Sequence, residues 1–178
     1  MSKKTFLIIS STIWSFIFFS GSIKAQEVFA PDGYSLSATF PDSYSVVNKT
    51  TDESQSVYLP NLYEATYKNP NNQLLLSATF GTFQKTTKPT NKEERKSHLE
   101  GLANEIKQQT NTEFYLYEPF DVGVYGSGIS FTCSKGKKRT PVYNGIVLIV
   151  DDKLYMFFAK LSDLKYQNQV HSFFKSAI

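Results

Sequence analysis

Val142-Tyr143-Asn144-Gly145-Ile146-Val147-Leu148-Ile149-Val150-Asp151-Asp152-Lys153-Leu154-Tyr155-Met156-Phe157-Phe158-Ala159-Lys160 reads as two strands and a tight reversal. β-Branched and aromatic residues crowd both arms, and Asp151-Asp152-Lys153 is the polar break at which an antiparallel hairpin turns. From about Ser162 the period changes: Tyr166, Val170, Phe173 and Phe174 recur at helical spacing, so the chain closes with a helix. A strand pair followed at once by an amphipathic helix is the minimal unit of a sheet that carries helices.

Upstream, Gly128 to Ser134 alternates, with Ile129, Phe131 and Cys133 on one strand face. Glu113 to Tyr117 is a further strand, and Asp121 to Tyr125 is a possible one. Lys135-Gly136-Lys137-Lys138-Arg139 reads as an exposed hairpin tip. Between Thr90 and about Thr110 the pattern is helical: Leu99, Leu102, Ala103 and Ile106 form one apolar stripe, and Thr90 with Glu93 fits a capping box. Before it, strands are expected over Tyr34 to Phe40, Tyr44 to Lys49, Ser56 to Leu59, Leu62 to Lys68 and Leu74 to Phe83. Pro41-Asp42-Ser43, Pro60-Asn61 and Asn69-Pro70-Asn71-Asn72 interrupt them. The fold class is therefore α+β, an antiparallel β-sheet with two main helices packed on it.

The N-terminus is organised differently. Lys3 and Lys4, an apolar run from Phe6 to Phe19, and small or polar residues ending at Ala25 have the layout of a secretory signal peptide. The run is broken by Ser10, Ser11, Thr12 and Ser15 and falls short of the about 18–20 apolar residues of a spanning helix. An uncleaved anchor is the alternative, since Ile23 stands where a cleavage site favours a small residue. The expected organisation is a signal peptide over 1–25 and a single globular domain over 26–178, exported to the periplasm or secreted, with no transmembrane segment in the mature chain.

Loss of residues 1–25 would remove Lys3, Lys4 and Lys24 and no acid, leaving 19 − 3 = 16 basic residues against 16 acidic ones. The mature domain is then formally neutral, which argues against nucleic acid as a partner. Its 178 − 25 = 153 residues suffice for one hydrophobic core. Cys133 is the only cysteine, so no internal disulfide is available, and it reads as a buried, inert thiol.

No catalytic constellation emerges. His98 and His171 lie on separate helices and read as helix-border residues rather than metal ligands. Gly126-Ser127-Gly128 lacks the outer glycines of a nucleophile elbow, because Tyr125 and Ile129 occupy those places, and it reads as a flexible turn. Glu113, Glu118 and Asp121 bracket a loop in which a glycosidase-like pair could form, whereas Asp151-Asp152 is ordinary turn chemistry. No catalytic residue, metal ligand or cofactor site is assigned. The candidate binding residues are Lys135, Lys137, Lys138 and Arg139, a basic tip that could dock an acidic partner or remain a solvated hairpin. Tyr115 and Tyr117 share one strand face and Tyr63 and Tyr67 another; exposed, such faces are contact platforms, and under a helix they are core.

The element order, with Tyr34-Ser35-Leu36-Ser37-Ala38-Thr39-Phe40-Pro41 at its start and Phe173-Phe174-Lys175-Ser176 at its end, resembles the PsbP-like α/β/α sandwich, which includes extrinsic photosystem subunits and small exported bacterial proteins of the DcrB type. The resemblance implies the sandwich fold over nearly all of the mature chain, and it carries no functional residues across. The expected function is an exported, non-catalytic binding or assembly module for an unknown protein or envelope component. The alternatives are a small hydrolase with a hidden acid pair such as Glu118 and Asp121, or a carrier of an apolar ligand with a Phe- and Tyr-lined cavity of about 300 Å³.

Overall fold

The computed structural model describes residues 26–50, 61–110, 114–122, 126–135 and 140–177. The expected signal peptide, the expected strand Ser56 to Leu59, and Lys137, Lys138 and Arg139 of the basic tip lie outside them. The hairpin expected over Val142 to Lys160 forms as β8 (Thr140–Val150) and β9 (Lys153–Leu161), with Val150 opposite Lys153. Asp151 takes a positive φ of 53°, a conformation that Asp tolerates better than most side chains.

Around this hairpin the other strands add in antiparallel fashion. β3 (Ser45–Thr50), β4 (Asn61–Lys68), β5 (Leu74–Thr82), β6 (Phe114–Val122) and β7 (Gly126–Lys135) complete a seven-stranded sheet of order β3-β4-β5-β9-β8-β7-β6. The β4–β5 turn is organised by the buried Asn69, whose Oδ1 accepts the backbone N–H groups of Gln73 and Leu74 at 2.8 and 2.9 Å. A separate ribbon pairs β1 (Glu27–Phe29) with β2 (Ala38–Phe40).

Two helices cover opposite faces. On one, α1 (Lys92–Thr110) packs on β7 and β8, where Leu99, Ala103 and Ile106 meet Ile129, Phe131, Cys133, Val147, Ile149 and Leu154. On the other, α2 (Gln167–Ser176) and the ribbon close over Leu74, Leu76, Ala78, Phe80, Leu148, Tyr155 and Phe157 through Phe40, Val170 and Phe173. Burying each large side chain contributes about 1.5–3 kcal/mol. Among the described residues, the ion pairs Lys92–Asp121, Lys96–Glu100, Lys153–Asp152 and Lys165–Asp163 are all at least partly exposed and contribute little by comparison. The α+β class, with helices on both faces of an antiparallel sheet, is as expected.

The Phe-x-x-Ser ending has a structural task. Ser176 Oγ donates to the Phe173 carbonyl at 2.7 Å and accepts the Thr39 N–H at 3.0 Å, which ties β2 to the end of α2. Cys133 is fully buried, in agreement with an inert thiol.

Several local expectations change. Only Ala38–Phe40 of the alternating stretch from Tyr34 is a strand, because the turn at Pro31–Tyr34, with Gly33 at φ 81°, lifts the segment before it off the ladder. Ser35 finds a side-chain partner instead, the Tyr155 hydroxyl, at 3.3 Å from its N–H and 3.0 Å from its Oγ. The cap of α1 sits one residue later than read: Asn91 Oδ1 accepts the Glu94 N–H at 2.8 Å, and the Glu94 carboxylate reaches back to the Thr90 N–H and hydroxyl at 2.6 and 2.9 Å. The Thr90 backbone bond, first, and its hydroxyl hold the Glu94 carboxyl below the usual range.

The two strands expected around Glu118 are one. β6 continues through Pro119 because it is an edge strand, where the missing N–H interrupts no second ladder. Gly126-Ser127-Gly128 is the start of β7 and not a turn. A Cβ on Gly128 would lie 2.6 Å from both Leu148 Cδ2 and Phe120 Cζ, so the glycine lets the Phe120 ring cross the strand.

Candidate functional site

The helices pack on the inner strands and not on the edge strand β6, so a groove remains between β6 and each helix. Strand alternation distributes its side chains: Tyr117, Pro119 and Asp121 face α1, while Leu116 and Glu118 face the side of α2. The loop expected to gather Glu118 and Asp121 is therefore replaced by a strand that sends them to opposite faces. They line different grooves and cannot act as a glycosidase pair, which requires both carboxyls to flank one bond. Glu113 lies outside the described residues.

The groove beside α1 has a volume of about 260 Å³. Its floor is Ile129 with the buried Ser127, its helical wall is Lys92, Lys96, Leu99 and Glu100, and its outer wall is β6. Lys92 Nζ donates to Asp121 Oδ2 at 2.7 Å across it, between side chains that are 62% and 58% exposed. Arg95 Nε donates to Ser127 Oγ at 3.5 Å from the helix. Tyr117 stands at the rim, 42% exposed. The arrangement is an apolar floor with an aromatic edge and alternating charges around it. Such a surface suits a segment with an apolar side chain and flanking polar groups.

The groove on the α2 side has a volume of about 480 Å³ and a more polar floor of Ser130, Thr132 and Asn144. Thr132 Oγ1 donates to Asn144 Oδ1 at 3.0 Å, so the floor's polar groups partly satisfy one another. Ordinary antiparallel sheets present such a face to water.

The tyrosine pairs separate as burial dictates. Tyr67 is buried and Tyr63 packs against the core under the ribbon, whereas Tyr117 is exposed in the α1 groove. Tyr34, unremarked among the candidates, sits at the centre of a cluster. Its ring stands edge-on to Tyr63, Phe80 and Tyr155, its hydroxyl shares a 3.0 Å hydrogen bond with Thr82 Oγ1, and Lys153 Nζ lies 5.1 Å from its centroid. Burial pushes its pKa up, the Thr82 bond opposes this, and Tyr63, Tyr155 and Asp152 add to the rise.

Of the basic tip, the backbone at Lys135 ends β7 and pairs with Thr140. It lies eight residues along the strand from Ser127, about 26 Å at 3.3 Å per residue, so the Lys135 backbone is not part of the α1 groove, and Lys137, Lys138 and Arg139 lie outside the described residues. His98, within α1, directs Nδ1 to the Glu94 carbonyl at 2.9 Å and packs edge-on against Phe83, and His171, within α2, is exposed next to the buried Val170. Among the described residues no three His, Cys, Asp or Glu side chains group as metal ligands. No helix among them is long and apolar enough to cross a membrane.

The large aromatics that would line a carrier's cavity fill one another's space instead. Phe40–Phe173, Phe80–Phe157 and Phe157–Phe173 have ring centroids 5.3, 5.7 and 6.2 Å apart.

No family model and no curated protein matches this chain. Among solved structures it is similar to cyanobacterial PsbP (CyanoP) from Synechocystis sp. PCC 6803, with a TM-score of 0.51 over 88% of this chain and 94% of that one, at 8% sequence identity. The fold is PsbP-like; at that identity the likeness extends to architecture alone.

Proposed function

We propose that this PsbP-like domain is an exported, non-catalytic binding module that holds a partner protein or envelope component in the groove between α1 and β6. The layout of residues 1–25 supports export. The observation that carries the binding reading is the α1 groove: Ile129 on its floor and Leu99 on its helical wall, Tyr117 at its edge, and the Lys92–Asp121 bridge across its mouth. An aromatic beside a desolvated floor supplies contact area, and the surrounding charges set orientation more than strength.

A photo-crosslinking residue in place of Tyr117, in the full chain expressed in an exporting cell, should give an adduct of one defined mass. The same residue at Val47, exposed on the β3 edge at the other end of the sheet, should not. Equal adducts at both positions, or none at position 117, would overturn the assignment of the groove.

A further inference from the structure

The start of the folded domain carries a chemical consequence of export. We propose that Gln26 becomes the first residue of the exported chain and closes to pyroglutamate; this rests on the export reading of residues 1–25 and on the cut after Ala25. Gln26 is exposed and stands one residue ahead of the first paired position of the ribbon, Glu27 opposite Phe40. The strand ladder thus begins just beyond the reacting residue, and cyclisation requires no backbone pair to open.

The reaction is intramolecular and balanced. The new α-amine attacks Cδ of its own side-chain amide, a C–N bond closes a five-membered lactam, and the amide nitrogen leaves as ammonia with the proton that the amine gives up. No oxidant or second substrate takes part, and holding nucleophile and electrophile on one residue favours the step. Its product also suits its surroundings. Gln26 shares a surface groove with Thr39, Pro41, Ser172 and Lys175, so an α-ammonium would add a second positive charge beside Lys175, whereas a lactam adds none.

The test is the intact mass and N-terminal peptide of the protein exported from cells that express the full chain. The expected result is a chain that starts at residue 26, is lighter by one ammonia, resists stepwise degradation from the amino end, and yields Glu27 as its new terminus after pyroglutamyl peptidase. A Gln26→Ala variant should be cut at the same place and show no such loss. A chain that starts with an open Gln26 would overturn the cyclisation and leave the export reading standing. A chain that keeps residues 1–25, or starts elsewhere, would overturn the cut after Ala25 and the cyclisation with it, and absence of the protein from the exported fraction would overturn the export reading.

Discussion

Gly145→Ala should destabilise the domain, although alanine is the better strand residue by roughly 0.5–1 kcal/mol. The Phe131 ring of β7 lies flat across Gly145 of β8, and a Cβ there would overlap Cζ and Cε1 of that ring. The ring has nowhere to go: Phe131 is only 4% exposed, Phe158 flanks it at 6.2 Å, and α1 closes the face above. Overpacking of this kind costs about 1–3 kcal/mol. Phe131→Ala alone should cost about 3–5 kcal/mol. In that background the added methyl has room, so Gly145→Ala should become neutral or stabilising. The coupling between the two sites is then the gap between these responses, about 1–4 kcal/mol. Urea unfolding followed by far-UV circular dichroism measures it, provided the m-value is unchanged across the four proteins. A Gly145→Ala variant as stable as the parent, or equally destabilised with and without Phe131, would refute the claim that the ring excludes a side chain here.

Three further outcomes follow from the geometry. Asn91→Ala should cost about 1 kcal/mol through loss of the α1 cap, and Thr90→Val less, because the Thr90 N–H still binds Glu94; equal losses would contradict the placement of the cap. Tyr34 should ionise later than an ordinary tyrosine: its folded pKa lies above the unfolded one, so its contribution is complete below the unfolded pKa and is lost as pH rises through the folded value. Titration of phenolate absorbance should lose one late-ionising tyrosine in Tyr34→Phe. Cys133 should react with a thiol reagent in urea and not in the native protein; rapid native labelling would contradict its burial.

Legibility followed the range of the interactions. The β8–β9 hairpin, the stripe of α1 and the closing helix were readable because each is decided by a local period and a local turn. The errors arose where a distant group settled a local choice. The segment before Ala38 leaves the ladder at the turn over Pro31–Tyr34, and its Ser35 is held by the Tyr155 hydroxyl, 120 residues away. Glu118 and Asp121 are near in sequence, and the pleat of one edge strand that runs through Pro119 separates them. The α1 groove had no signal of its own, since Lys92 and Asp121 meet across 29 residues only when the helix lies beside the edge strand.

The sequence alone determined the class of this protein: alternating strands, two amphipathic helices and their apolar faces are written in periods of two and 3.6 residues, and burial of those faces forces a sheet with helices against it. It also contains the leader pattern and the glutamine behind it. Tertiary structure decided the strand order, the face that each helix covers and the groove left uncovered at β6. Those depend on how far α1 and α2 reach across seven strands, a quantity that no local pattern encodes.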